Sequence, residues 1–268
     1  TVNTTPDAIS MQRLLAGFVG EGASQVALEA SSHALIQHRI KAIKIDIAVF
    51  TNLSRDHLDY HGSMAEYAAA KRLLLCQPEL AYAVINLNDP EHKNWFTNVP
   101  ETTSVVFYGL NRSNVDIPSG HQYCVANNVR YTAEGIALSV QSSWGDCELR
   151  LSLLAEFNVA NVLAAICSQL CLGKSLKQIA YVVQKLKPVA GRMELYKRHG
   201  HATIVVDYAH TPDALDKALL ASKQHCHGKL FCVFGCGGDR DVGKRYLMGE
   251  IAERLSYYVI LTDYNERR

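Results

Sequence analysis

Long apolar runs are missing from this sequence: its purely hydrophobic stretches are only a few residues long, far short of the roughly 20 that a membrane-spanning helix requires. Excess charge of either sign is missing too, since 27 Lys and Arg stand against 26 Asp and Glu for a net +1. That balance indicates neither the electrostatic footprint of a nucleic-acid binder nor an acidic solvating tail. No C-x-x-C pair occurs among the eight cysteines, at 76, 124, 147, 167, 171, 226, 232 and 236. Cys167/Cys171 fall in a helix-like segment and Cys232/Cys236 along a strand entering a glycine loop, so buried thiols in a reducing cytosol are expected. His225-Cys226-His227 are adjacent and cannot all aim at one ion, and they read as a polar helix end. The chain shows no internal repeat, no initiator Met and no charged-then-apolar leader, and is expected to be a piece of something longer.

What is there is ordinary globular composition, 48% hydrophobic and 20% charged, over a length of 268 residues that suits one large domain or two ordinary ones. Short β-rich runs alternate with helical patterns, the signature of a largely parallel sheet wrapped by helices, so the fold class is α/β. Thr5-Pro6-Asp7 opens a helix that closes near Gly20 and Gly22. Strands are expected at 25–30, 45–51 and 81–86, and Ser63 to Glu66 fits a capping box whose helix carries Lys71. Between 121 and 153 the pattern becomes an antiparallel patch, with turns at Asn127-Asn128, Glu134-Gly135 and Trp144-Gly145-Asp146, decorating one edge of the sheet. Helices follow at 157–172 and 175–186. Lys187-Pro188-Val189-Ala190-Gly191 then marks a domain boundary, giving domains 1–187 and 188–268. The second domain reads as an unfinished βαβ unit: strand 203–206, helix 214–223, strand 230–234, helix 246–255 and strand 257–261.

Several polar groups gather where strands end, which is where parallel sheets place ligands. Glu29, with Ser31, Ser32 and His33 behind it, shares that rim with Asn52, Ser54, Arg55, Asp56, His57 and Asp59. A carboxylate and an imidazole there suit a hard divalent cation, though each residue alone is equally a loop or cap group. Lys71 admits three readings: a solvated helix lysine, a phosphate-pairing cation, or an amine modified into an anionic ligand. Gly238 to Lys244 matches G-x-x-x-x-G-K, but Arg245 replaces the expected hydroxyl and Asp239 and Asp241 would meet phosphate with like charge. Asn158 and Asn161 share one helix face, as base readers or as caps. Arg192 suits an anionic phosphate or a hinge salt bridge, and Asp207 suits ribose hydroxyls.

Taken in order, Asn3-Thr4-Thr5-Pro6-Asp7, Glu29-Ala-Ser-Ser-His-Ala-Leu35, Thr51 to His61, Phe157-Asn-Val-Ala-Asn161, Gly191-Arg-Met-Glu194, Asp207 to Asp213 and Phe234 to Asp241 resemble the Mur ligase series of motifs. Within that family the chain is most similar to the branch that adds meso-diaminopimelate. The resemblance implies a central α/β domain followed by an incomplete Rossmann-like C-terminal domain. It further implies a cytoplasmic, monomeric, ATP-dependent amide-bond ligase acting on UDP-MurNAc-L-Ala-D-Glu and meso-diaminopimelate through an acyl phosphate, with no nucleic-acid or membrane partner. Carried over residue by residue, Glu29, His57 and Lys71 match the Mg2+ ligands, with Lys71 carbamylated. Lys71, His57 and Arg192 match the catalytic set. Asn158, Asn161, Arg192, Asp207, Tyr208 and His210 match the ATP side. Asn3, Thr4, Thr5, Ser31, Gln37 and Arg39 match positions for the UDP-linked substrate, and Arg240, Asn265 and Arg267 match the amino-acid pocket. Tyr264-Asn265-Glu266-Arg267 departs from the family's Asp-Asn-Pro-Arg. The family's phosphate loop precedes the Asn3 segment, so this chain alone is expected to turn over weakly or not at all. A silent binding module and a lysine-adding ligase are the alternatives.

Overall fold

The computed structural model describes residues 4–54, 56–110, 116–236 and 243–262. By internal contacts the chain divides into two units, Thr1–Val125 with Leu163–Lys174, and Ala126–Val162 with Ser175–Arg268.

The first unit opens with α1 (Ala8–Gly20), capped by Asp7, whose side chain accepts from the backbone N–H groups of Ile9 and Ser10. Pro6 therefore lies just outside the helix, and the cap is the carboxylate after it. α2 (Ser32–Ile36) follows, capped by Ser31. β1 (Ile47–Phe50), β2 (Tyr82–Asn86) and β3 (Ser104–Leu110) form a parallel sheet in which Ile47 pairs with Tyr82 and Tyr82 with Ser104. Continuous burial along β2 and β3 shows why their apolar runs do not alternate: both faces are covered. Between β1 and β2 run α3 (Leu58–His61), α4 (Met64–Arg72) and a 3-10 turn at Leu73–Cys76, while α5 (His92–Thr97) links β2 to β3. The core joins these layers through Phe50, Leu75, Ile85, Trp95 and Phe107, with Phe50 and Trp95 stacked 4.8 Å apart.

Gln25 to Ala30, expected as a strand, is an extended loop. Val26 is 45% exposed, and side chains satisfy the backbone where a neighbouring strand would have done so. Thr5 Oγ1 donates to Glu29 O at 2.7 Å and accepts from Ser31 N at 3.1 Å, and Lys71 Nζ donates to Ala30 O at 3.2 Å.

The sheet continues through β4 (Gln122–Thr132) to β5 (Gly135–Ser142) and β6 (Gly145–Leu151), in the order β1-β2-β3-β4-β5-β6. The expected antiparallel patch is thus an extension beyond β3, with β5 and β6 antiparallel. Asn127-Asn128 is not a turn. It lies inside β4, where Asn128 takes φ 52 and Ser139 Oγ donates to Asn127 O, a left-handed residue that asparagine tolerates. In the second unit, α6 (Glu156–Cys171) begins and α7 (Leu176–Val183) is held by a complete Ser175/Gln178 capping box. Beyond them lie β7 (Glu194–Tyr196), β8 (Ile204–Val206), α8 (Pro212–His225), β9 (Phe231–Phe234), α9 (Gly243–Leu255) and β10 (Tyr258–Leu261). β9 and β10 are parallel as expected of a βαβ unit, but β8 pairs antiparallel with β7, a strand too short to carry a periodic signal.

Candidate functional site

In the first unit, a polar patch is built around the loop that replaces the expected strand. Thr5 is buried, and its hydroxyl pins both Glu29 and Ser31. Arg39 Nη1 donates to Thr5 O at 2.8 Å, and its Nε donates to Gln37 Oε1 at 2.9 Å. Gln37 Nε2 donates onward to Tyr60 Oη at 3.4 Å. Thr5, Ser31, Gln37 and Arg39, four of the expected substrate positions, are therefore one connected network, and Thr4 is exposed beside it.

Tyr67 has the His57 ring 5.9 Å away, and both Tyr67 and Lys71 lie within electrostatic reach of Glu29, which is exposed. Burial holds the Lys71 amine below its ordinary range, with Glu29 opposing that shift in part. His57 adopts a left-handed φ of 54°, its N–H donates to Asp56 Oδ1 at 2.8 Å, and its Nε2 lies 3.5 Å from Asp56 Oδ2. A non-glycine residue held there is the kind of local strain that collects at ligand sites. The His57 ring stands 5.1 Å from His33 and 5.9 Å from Tyr67, and His61 stacks on Tyr67 at 5.0 Å with its Nε2 2.8 Å from Ser32 Oγ. Burial and then the neighbouring His57 lower the proton affinity of both His33 and His61. Tyr67 and His61 went unnoticed in the sequence. The signal was there, because Tyr67 and Lys71 fall one helical turn apart behind the Ser63 cap.

Among the described residues, no three His, Cys, Asp or Glu side chains are arranged to hold an ion. Glu29 and His57 supply two ligands of suitable type, and Lys71 as an ammonium supplies none.

The second unit carries the other polar patch. At the start of α6, Asn158 Nδ2 donates to Leu154 O at 2.7 Å, and Asn161 Nδ2 reaches Asn158 Oδ1 at 3.4 Å. The Arg192 guanidinium lies 4.7 Å over the Tyr208 ring, and His210 Nδ1 donates to Tyr208 O at 3.0 Å. Tyr208 and His210 are exposed, as is Arg192, leaving a stacked guanidinium and two rings on the surface. Asp207 accepts twice from backbone, from Met193 N at 2.9 Å and Ala209 N at 2.9 Å. Met193 is fully buried with φ 46, so this carboxylate holds a strained segment beside Arg192. The Gly191 N–H, then the Tyr196 hydroxyl, hold the Glu194 carboxyl below its usual range. Asn3, Arg240, Asn265 and Arg267 lie outside the described residues, as do residues 237–242 of the glycine-rich segment.

Residues 1–169 match the Mur ligase middle domain, and residues 191–268 match the Mur ligase glutamate ligase domain. A solved structure of UDP-N-acetylmuramoyl-L-alanyl-D-glutamate–2,6-diaminopimelate ligase is 39% identical over 98% of this chain and 53% of that one, with a TM-score of 0.78. MurF ligase from Thermotoga maritima in complex with ADP is 23% identical over 84% of this chain and 50% of that one, at a TM-score of 0.66. Folylpolyglutamate synthase of Mycobacterium tuberculosis, complexed with ADP, is 20% identical over 83% and 48% of the two chains, at 0.64. These last two share the fold. The chain spans about half the length of each of these structures.

Proposed function

Because this chain belongs to the Mur ligase family, whose members are ATP-dependent amide-bond ligases, we propose that it serves the addition of meso-diaminopimelate to UDP-MurNAc-L-Ala-D-Glu in peptidoglycan precursor synthesis. The observation that carries this reading is the 39% identity to the diaminopimelate ligase over 98% of the chain. The electrostatic reach of Glu29 to Lys71 supports it. In this reading the central domain ends at Lys187 and the C-terminal domain begins at Pro188. In this reading the enzyme is also cytoplasmic and monomeric. No helix among the described residues is long and apolar enough to cross a membrane.

The residues divide the work. Lys71, half-buried and with its amine held below the ordinary range by that burial, is suited, once deprotonated, to attack carbon dioxide. Nitrogen bonds to carbon and a proton leaves, and the resulting carbamate gives Lys71 the anionic oxygen that an ammonium lacks. Glu29, His57 and carbamylated Lys71 would then hold Mg2+, which when bound neutralises the negative charge that accumulates as two anions are brought together. Asn158 and Asn161 face the nucleotide base with amides, while Arg192, braced on Tyr208, offers a fixed cation to phosphate. Thr5, Ser31, Gln37 and Arg39 border the UDP-linked substrate. Arg267 supplies the guanidinium for the second carboxylate of meso-diaminopimelate, where lysine would bring an ammonium.

The test is ADP release by the full-length natural protein with UDP-MurNAc-L-Ala-D-Glu and either amine. Release that depends on meso-diaminopimelate is expected, falling at least a hundredfold in Lys71→Met. Equal or greater release with lysine would refute the specificity, and none with either amine would refute the ligase reading. The isolated chain is expected to bind Mg-ADP with weak turnover or none.

A further inference from the structure

α8 ends in a buried histidine that the reaction scheme above does not use. His225 Nδ1 lies 2.7 Å from Thr132 O, and a carbonyl only accepts, so Nδ1 carries the hydrogen. Its Nε2 lies 3.2 Å from Ala155 N, and a backbone N–H only donates, so Nε2 is the acceptor. The two partners fix one neutral tautomer. The ring also meets Tyr131 edge-on at 5.3 Å, and Tyr131 Oη donates to Glu156 Oε2 at 2.9 Å, on the first residue of α6.

Ala155 is the residue this arrangement grips, and it needs gripping. It is fully buried with φ 72, a left-handed conformation that its Cβ disfavours. Its carbonyl accepts from Asn158 N at 3.1 Å, and the preceding carbonyl, of Leu154, accepts from Asn158 Nδ2 at 2.7 Å. Asn158 Oδ1 in turn receives Asn161 Nδ2. Ala155 thus stands between the histidine and both amides. If Nε2 were lost, a buried N–H would have no acceptor in a segment already strained, and the first turn of α6 would shift to relieve both.

We propose that His225 is a positioning residue for nucleotide binding, holding Ala155 through Nε2 and thereby aiming Asn158 and Asn161. The inference rests on the reading of those two amides as nucleotide contacts. Two variants of the whole chain separate the ring nitrogens: the glutamine amide oxygen reaches the place of Nε2, and the asparagine amide nitrogen occupies that of Nδ1. Hydrogen exchange of amides 155–161 without nucleotide, and Mg-ADP affinity by calorimetry, are measured on each. His225→Asn is expected to exchange faster and to bind Mg-ADP about tenfold more weakly, the effect of one buried hydrogen bond. His225→Gln stays within about threefold of wild type in both. The double variant His225→Asn/Ala155→Gly, in which the left-handed residue has no Cβ, regains part of the affinity and stands in for the single variant if that fails to fold. Equal losses in the two single variants, faster exchange with unchanged affinity, or no regain in the double variant would overturn the proposal. A wild-type chain that binds no Mg-ADP overturns the nucleotide reading and this inference together, an outcome visible before any variant is made.

Discussion

Asp207 separates two kinds of role by magnitude. Resemblance assigns it to the nucleotide, yet both carboxylate oxygens accept backbone N–H groups, one from buried Met193 and one from Ala209. A hydrogen bond to a charged group contributes about 1.5–3 kcal/mol, and a buried N–H left without a partner costs about 1–3 kcal/mol. Asp207→Ala removes both acceptors and leaves the strained Met193 unheld, so a loss of about 3 kcal/mol is expected. Asp207→Asn keeps one acceptor and turns an NH2 group toward the other donor, for roughly half that loss. At about 2–4 °C per kcal/mol for a protein of this size, the alanine variant should melt roughly 6–12 °C lower. Urea titration followed by circular dichroism, paired with Mg-ADP calorimetry on the folded variants, gives both quantities. If Asp207→Ala loses less than about 0.5 kcal/mol while nucleotide affinity collapses, the structural argument is refuted and the carboxylate belongs to the ligand.

Two further predictions concern titration and reactivity. Since Glu194 is held below the ordinary carboxylate value of 4.5, mainly by the Gly191 N–H, its contribution is present above that pH and is lost as pH falls through the folded value. The melting difference between wild type and Glu194→Gln should accordingly be largest near neutrality and shrink as the solution is acidified; a difference that stays constant or grows as pH falls contradicts this. Burial pushes Cys167 far above the usual thiol range and Cys171 up to about 11, whereas Cys76 is exposed. Brief iodoacetamide treatment at pH 7.5, read by peptide mass spectrometry, should therefore modify Cys76 and leave Cys167 and Cys171 intact until denaturant is added.

Much of the fold was legible because its strands and helices carry strong periodic or continuous apolar signals. β2 announced itself as an uninterrupted apolar run and α7 as a helical pattern, whereas β3, just as apolar, went unread. The segment 25–30 misled because Gln-Val-Ala-Leu has strand composition, while the deciding fact was the remote Thr5 hydroxyl that satisfies its backbone. Asn127-Asn128 has turn chemistry, but a single left-handed residue can be absorbed within a paired strand. Among the site residues, Glu29, His57 and Lys71 were nameable from motifs, whereas the reach of Glu29 to Tyr67 and the grip of His225 on Ala155 depend on contacts distant in sequence.

The register of the sheet also sets an order in time. β5 and β6 are joined by a tight turn, Ser142 facing Gly145, so their pairing closes a short loop and can form within microseconds. Ile47 reaches Tyr82, and Tyr82 reaches Ser104, only after longer intervening segments have been gathered in. Parallel pairing of this kind bears its entropy cost before any contact rewards it. The hairpin is therefore the natural seed, and the rim that bears Asn52 and His57 matures late, when β1 docks against β2.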